Sequence, residues 1–223
     1  MKTAMILAAG RGERMRPLTD FTPKPLLKIN GKAIIEYHLE KLAQVHFEKV
    51  VINHHWLGEQ IETTLGNGQK YGIEILYSKE TELLETGGGI FQALPLLGKE
   101  PFLVVNGDIW SDFSFNRSLQ IEKLAHLILV DNPSHNLKGD FGLENGFVTN
   151  QPQFTFSGIG IYHPDLFRDC QSGRFPLAPI LRQTISDQKV TGEHFNGQWF
   201  DIGTPQRLSE IEQLQIIERK ETV

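Results

Sequence analysis

The segment TAMILAAGRGERMRPLTDFTPKPLL, residues 3–27, carries an apolar run straight into small residues and three arginines, Arg11, Arg14 and Arg16. Lys24 follows between two prolines. These residue types suit the binding of a compact anion. Small residues let backbone N–H groups come close to phosphate oxygens, and an arginine adds two parallel charge-assisted hydrogen bonds. The stretch is not a P-loop, because AAGRGER lacks the Gly-Lys-Ser/Thr ending. It is no dinucleotide fingerprint either: Gly10 and Gly12 are present, but Met15 stands where the third glycine belongs. On local chemistry alone a plainer alternative stays open, a strand-to-loop turn with solvent-facing arginines.

Charge distribution favours the anion. Residues 1–32 hold seven Lys or Arg against two acids, in a chain of 223 residues whose net charge is −5. A basic patch on an acidic protein fits a small anionic ligand better than a nucleic-acid polymer. With 39% apolar residues and no linker or low-complexity stretch, the chain reads as one domain, residues 1–223. TAMILAA is too short to span a bilayer and charge follows it at once, so neither a membrane span nor a usual signal peptide is expected. The single cysteine, Cys170, excludes an internal disulfide and a cysteine zinc cluster, and reads as a semi-buried small side chain. His54 and His55 are adjacent at a strand end and point apart, so they read as loop-entry residues rather than metal ligands. A soluble cytoplasmic protein without a membrane partner is the simple expectation.

The elements that must position the loop follow from periodicity. Apolar runs predict strands over 3–7, 48–53, 73–78, 102–106, 124–130 and 154–162. Helices are expected over 33–45, where Ile35, Leu39 and Leu42 share a face, and over 57–65, 87–94 (stopped by Pro95), 177–187 and 205–217. In the last, Leu208, Ile211, Leu214 and Ile217 recur every three residues. Alternating strands and helices with near-continuous apolar strands favour a parallel sheet covered on both faces, with the ligand at the carboxyl ends of the strands. The Gly/Arg loop after the first strand and Asp108 after the fourth both fall there. No hexapeptide repeat follows, so no C-terminal β-helix is expected.

LAAGRGERMRPLTDFTPKPLLKINGKAIIEYHLEKL resembles the N-terminal signature of the sugar-1-phosphate nucleotidyltransferases. ETGGGIFQAL, FLVVNGDIW and GQWFDIGTPQRL resemble further blocks of that family in the expected order, so the resemblance spans nearly the whole chain. Within the family, VINHHWLGEQIE, LETGGGIFQALPLLG, LVDNP with KGDF, and GEHFNGQWFDIGT resemble the short uridylyltransferases acting on N-acetylmuramate α-1-phosphate in bacterial cell-wall recycling. The resemblance implies an α/β, Rossmann-like nucleotidyltransferase fold with a mixed, mostly parallel central sheet flanked by helices. A nucleotide-binding half would cover about 1–110 and a sugar-binding half about 111–223.

The implied reaction is attack by the sugar 1-phosphate on the α-phosphorus of UTP, with pyrophosphate leaving. The nucleophile is already anionic, so no general base is required; the protein must hold two repelling anions together and neutralise the leaving charge. By the resemblance, Arg14 is the catalytic arginine and Lys24 draws the phosphates together. Ala8, Ala9, Gly10, Gly12, Glu13 and Arg14 line the nucleotide, and Glu80, Gly87 and Gly88 meet the base, Gly88 through its N–H and Glu80 at uracil N3–H. Asp108 and Asp201 hold a Mg²⁺ ion.

For the sugar phosphate the matching positions are Lys24, Asn106, Gly139, Asp140, Ser157 and Gly158. The Glu-Lys pair usual in larger hexose members is missing, since residues 147–154 read FVTNQPQF. That departure points to a different sugar, and a lactyl carboxylate would need a cation; Arg182, Lys138 and His194 are the candidates. Trp199 and Phe200 beside Asp201 read equally as a sugar-stacking wall or as core packing. The glycine run 87–89 has a second reading, tight helix–loop packing. Expected partners are UTP and a sugar 1-phosphate, with the protein a monomer or weak homodimer. The rivals are another pairing, such as mannose 1-phosphate with GTP or glucose 1-phosphate with dTTP or UTP, and an inactive nucleotide-sugar sensor.

Overall fold

The computed structural model describes residues 1–115 and 121–221. The chain begins with strand β1 (Thr3–Leu7), whose Met5 and Ile6 are fully buried on opposite sides. A long loop follows, then a small hairpin of β2 (Lys28–Ile29) and β3 (Lys32–Ala33) leading into helix α1 (Ile34–Gln44). Next come β4 (Lys49–His54), α2 (Gly58–Leu65), β5 (Glu74–Lys79), α3 (Glu85–Leu97) and β6 (Phe102–Asn106). The second half holds β7 (Ile109–Ser111), β8 (Ala125–Val130), β9 (Phe141–Glu144), β10 (Phe147–Tyr162), α4 (Ala178–Ser186), β11 (Val190–His194), β12 (Trp199–Asp201) and α5 (Pro205–Glu221).

The central sheet has eight strands in the order β11-β8-β10-β6-β1-β4-β5, with β9 paired to β10. Strands β6, β1, β4 and β5 run parallel, whereas β10 is antiparallel to β6, β8 and β9. The expected mixed, mostly parallel Rossmann-like sheet is therefore present. Alternate residues feed two cores. Ala4, Ile6, Val50 and Ile52 pack with Ile35, Leu39 and Leu42 of α1 and Ile61 and Leu65 of α2. Met5, Val51, Phe102 and Val104 face α3 and α4 on the other side. Strands buried on both faces need such continuous apolar runs.

A third, smaller cluster joins Met15, Leu27, Ile29 and Ile34 to Trp110, Ile202, Leu208 and Ile211. It ties the opening loop to β7, β12 and α5. In α5, Leu208 and Ile211 are buried and Leu214 is exposed, while the Ile217 side chain lies outside the described residues.

Two expectations need correcting. Helix α3 does not stop at Pro95 but runs two residues beyond it to Leu97. One lost hydrogen bond near a helix end is tolerable when Leu97, 3% exposed, reaches the core, and Gly98 then closes the helix at φ 94°. The strand expected over 154–162 begins seven residues earlier, as the 16-residue β10. Asn145 and Gly146, both at positive φ, form the two-residue hairpin that joins it to β9.

Candidate active site

Strand β1 has β4 on one side and β6 on the other, so consecutive connections leave it in opposite directions and open a crevice at its carboxyl end. A cavity of about 300 Å³ lies there. Its walls come from the segment after β1 (Ala8, Ala9, Gly10), from Lys24, from the ends of β4 and β6 (Asn53, Asn106, Asp108), and from Glu80, Glu85 and Arg174.

The loop after β1 presents unused donors. Among the described residues, the backbone N–H groups of residues 9–14 make no hydrogen bond within the chain, whereas Ala8 N–H donates to Asn53 Oδ1 at 2.9 Å. Gly12 holds the left-handed conformation at φ 67°, and a Cβ there would come within 2.9 Å of Thr19. Thr19 Oγ1 donates to Gly12 O at 2.8 Å, and Trp56 Nε1 donates to Thr19 O at 3.2 Å. Arg11 lies over the Trp56 ring at 4.6 Å. The result is a folded-back loop with N–H groups free for an anion. Glu13 and Arg14 lie on a single 3-10 turn held down by the fully buried Met15; both side chains are exposed and neither lines the cavity.

Lys24 is the buried cation of the cavity, with Arg174 exposed at its wall. Its Nζ lies 2.6 Å from Asp108 Oδ2, with the lysine side chain 9% exposed and the aspartate 37%. Asp201, distant in sequence, arrives through a two-stranded ladder: β12 pairs antiparallel with β7, Asp201 stands opposite Ile109, and Ile202 N–H donates to Asp108 O at 2.9 Å. Asp201 Oδ2 accepts from Arg207 Nη1 at 2.9 Å and faces His135 Nε2 at 3.2 Å. Two carboxylates thus share the end of one ladder, each with a single oxygen engaged by a neighbouring cation. Sequence reasoning missed His135 and Arg207. Both belong to segments whose approach to Asp201 depends on chain pairing rather than on spacing.

Among the described residues no group of three or more His, Cys, Asp or Glu could hold a metal ion by itself. Two hard oxygen donors suit an ion whose remaining ligands are phosphate oxygens and water, so Asp108 and Asp201 fit Mg²⁺ in that setting. His38 on α1, 4% exposed, lies buried near Asp108 and the Ile109 backbone, and its Nε2 has no hydrogen-bond partner among the described residues. Burial, and then the charge of Lys41, push its pKa down to about 4.

The base-side residues sit differently from expectation. Glu80 lines the cavity, but its Oε1 accepts from Asn53 Nδ2 at 2.7 Å and its Oε2 from Leu84 N–H at 3.1 Å. Gly88 N–H is already donated to Phe175 O at 3.0 Å. Each glycine of the run has a packing reason: a Cβ at Gly87 would strike Phe175, at Gly88 the Gly173 carbonyl, and at Gly89 the Glu80–Asn53 pair. Arg174, opposite, pairs with Glu85 at 2.8 Å across the cavity wall.

Among the residues expected to meet the sugar phosphate, Asn106 reaches the cavity because Gly158, at φ 80° in a β-bulge of β10, leaves room for its amide. Ser157 turns into the sheet, donating to Ile128 O at 2.7 Å, and its carbonyl accepts from Trp199 Nε1 at 2.8 Å. Trp199 and Phe200 are half-buried, with Phe200 5.9 Å from Trp110, so both pack. Gly139, at φ 74°, turns the chain so that Asp140 Oδ2 accepts from Phe156 N–H at 2.9 Å; neither residue lines the cavity. Arg182 lies 4.9 Å over Phe141, and His194 stacks on Phe154 and pairs with Asp131 at 3.0 Å. Of the three lactyl candidates, only Lys138 is exposed without a partner among the described residues. His54 and His55 do point apart, His54 toward Glu62 at 2.7 Å and His55 toward Glu80 O at 2.9 Å.

Among the described residues no helix is long and apolar enough to cross a membrane. Residues 3–143 match the family model described as nucleotidyl transferase. The chain is 51% identical to an N-acetylmuramate alpha-1-phosphate uridylyltransferase of Neisseria meningitidis serogroup B, over 95% of this chain and 97% of that one. A protein of the same name from Caulobacter vibrioides is 32% identical, over 92% and 93%. Among solved structures, a Bacillus anthracis protein in complex with sucrose superposes with a TM-score of 0.85 at 19% identity, covering 95% of this chain and 94% of that one. A UDP-glucose pyrophosphorylase complexed with UDP-glucose gives 0.77 at 19% identity, over 98% and 99%. With the signature blocks, the crevice at β1 and relatives matched along almost their full length, the chain is a nucleotidyltransferase and belongs to the nucleotidyl transferase family.

Proposed function

We infer that the protein transfers UMP from UTP to N-acetylmuramic acid α-1-phosphate, giving UDP-N-acetylmuramic acid and pyrophosphate. It would act in the cytoplasm, in the reuse of cell-wall sugar, as a single-domain monomer or weak homodimer. The substrate pair is supported by the 51% identity to a uridylyltransferase of that specificity. The observation that carries the chemistry is Lys24 on Asp108 at 2.6 Å in the cavity, with Asp201 on the same ladder.

An anionic oxygen of the sugar phosphate attacks the α-phosphorus in line, and the bond to the pyrophosphate oxygen breaks; no proton has to be removed first. Lys24 transfers its contact from Asp108 to the phosphates and draws them together. The free N–H groups of residues 9–14 hold the triphosphate, and Arg14, on its exposed turn, swings onto the leaving pyrophosphate. Asp108 and Asp201 would hold Mg²⁺, whose charge lowers the repulsion between the two phosphates. Glu80 keeps lone pairs for uracil N3–H beyond its two internal bonds. Gly87 and Gly88 enter by letting segment 173–175 close on α3. Asn106, Gly139, Asp140, Ser157 and Gly158 shape the sugar side, and Lys138 is assigned to the lactyl carboxylate.

The test is pyrophosphate release with Mg²⁺ across ATP, CTP, GTP, UTP and dTTP against the 1-phosphates of N-acetylmuramate, N-acetylglucosamine, glucose and mannose. Release confined to UTP with N-acetylmuramate 1-phosphate is expected. Preference for another pair overturns the substrate, and no release with any pair overturns the catalytic role.

A further inference from the structure

Asn53, at the carboxyl end of β4, and Glu80, just past β5, are both 3% exposed and both line the cavity. They form one continuous chain of hydrogen bonds across its floor. Ala8 N–H donates to Asn53 Oδ1 at 2.9 Å, Asn53 Nδ2 donates to Glu80 Oε1 at 2.7 Å, and Leu84 N–H donates to Glu80 Oε2 at 3.1 Å. The partners fix the amide orientation, since a flipped amide would set N–H against N–H and oxygen against carboxylate. Gly89 is the complement: a Cβ there would fall 2.7 Å from Glu80 Oε1 and 2.9 Å from Asn53 Nδ2.

The two ends of this chain are the two halves of a nucleotide grip. Ala8 opens the loop whose following N–H groups are free for phosphate. Leu84 precedes Glu85, which is held at φ 61° and paired with Arg174 at the cavity wall. A buried carboxylate is retained only where donors satisfy it, and Asn53 supplies the one donor that links it to β1. We propose that Asn53 is a positioning residue for the nucleotide, which through Glu80 fixes the phosphate loop and the base-side segment at the separation a bound nucleoside triphosphate spans. The role rests on the reading that this cavity takes UTP.

The chemistry allows a reciprocal swap. Asn53→Asp keeps an acceptor for Ala8 N–H but sets two carboxylates face to face. Adding Glu80→Gln restores every bond with the total charge unchanged, because the new amide donates to the new carboxylate and its oxygen still accepts from Leu84 N–H. The assays are equilibrium binding of UTP by calorimetry, KM and kcat for each substrate, and the melting temperature. Asn53→Asp should weaken UTP binding and raise its KM about ten- to hundredfold, the loss of one charge-assisted hydrogen bond. The KM for the sugar phosphate should stay within about threefold, and the double variant should bind UTP more tightly than the product of the two single effects predicts.

Unchanged UTP affinity in folded Asn53→Asp overturns the proposal. So does a fall in melting temperature with an unchanged KM, or a double variant no better than the product of the two singles. If the wild-type protein itself binds no UTP, the uridylyltransferase reading falls first and the nucleotide role of Asn53 falls with it.

Discussion

Lys24→Met separates catalysis from stability more cleanly than any other single change. Lys24 is 7% exposed and its chain neighbours Pro23, Pro25, Leu26 and Leu27 are all buried, so methionine can keep the apolar burial of the lysine stem. What disappears is the ammonium 2.6 Å from Asp108. Asp108 is 37% exposed, so solvent screens the pair and its net worth to folding is roughly 0–1 kcal/mol. For a chain of this length each kcal/mol moves the melting temperature about 2–4 °C, so the variant should melt within about 4 °C of wild type. The catalytic loss is much larger. A preorganised donor aimed at developing charge contributes about 10²–10³ in rate, or roughly 3–4 kcal/mol of barrier. Coupled pyrophosphate release should therefore show kcat/KM down at least about a hundredfold in a protein whose scanning-fluorimetry trace is nearly unchanged. Activity within about tenfold of wild type in such a folded variant would refute the assignment, because the cavity would then be neutralising the phosphates without its buried cation.

Five further substitutions extend the test. Asp108→Asn and Asp201→Asn should each raise the Mg²⁺ concentration for half-maximal rate by about tenfold or more, since each removes one of two hard anionic ligands; an unchanged Mg²⁺ titration would place the ion elsewhere. Gly88→Ala puts a methyl against the Gly173 carbonyl, so overpacking of about 1–3 kcal/mol should lower the melting temperature by roughly 3–10 °C and weaken UTP binding, and an unmoved melt would show that segment 173–175 yields freely. Lys138→Ala should raise KM for N-acetylmuramate 1-phosphate about five- to twentyfold, as expected for one lost partly solvated ion pair, while leaving the KM for UTP within about twofold; an unchanged KM for the sugar phosphate would remove the lactyl contact. His38 is buried neutral with its pKa depressed from 6.5 to about 4, so the unfolded chain binds the extra proton between those values. Stability should be fully present above about pH 6.5 and fall by up to roughly 3 kcal/mol as the pH drops toward 4, with a flatter profile in His38→Gln; parallel denaturation profiles would refute it.

How much of this was legible in the sequence depends on whether a feature is local. The strands of the parallel half announce themselves because burial on two faces demands continuous apolar runs, as in MIL of β1 and VVI of β4. The loop proposed to take the phosphates is equally local, since small residues let its N–H groups approach an anion closely and the arginines add fixed charge. The β9–β10 hairpin was readable from Asn145-Gly146, yet Pro152 and the polar run VTNQPQ mask a strand whose outer half is exposed. Pro95 misled for a related reason: the rule that proline ends a helix weighs one lost hydrogen bond and ignores the burial of Leu97 beyond it.

The proposed reactive centre belongs to a different kind of information. Asp108 and Asp201 meet because Trp199–Asp201 pairs with Ile109–Ser111, and that pairing is held by Trp110, Phe200, Ile202 and Leu208 in a cluster that also takes in Met15 and Leu27. No spacing rule joins such distant segments: Asp108 lies in the turn between β6 and β7, and Asp201 closes the half-buried β12. The Asn53–Glu80 chain goes one step further. Asn53 pairs with Ser78 in the β4–β5 register, so the following turn of chain brings Glu80 back over the amide, and the missing Cβ of Gly89 completes the space. The glycine run therefore has two duties in one stretch, closing segment 173–175 against α3 through Gly87 and Gly88 and admitting a buried polar pair through Gly89. Packing and binding were posed as alternatives for those glycines, but here the packing is what brings the base-side wall and the phosphate loop into one rigid frame.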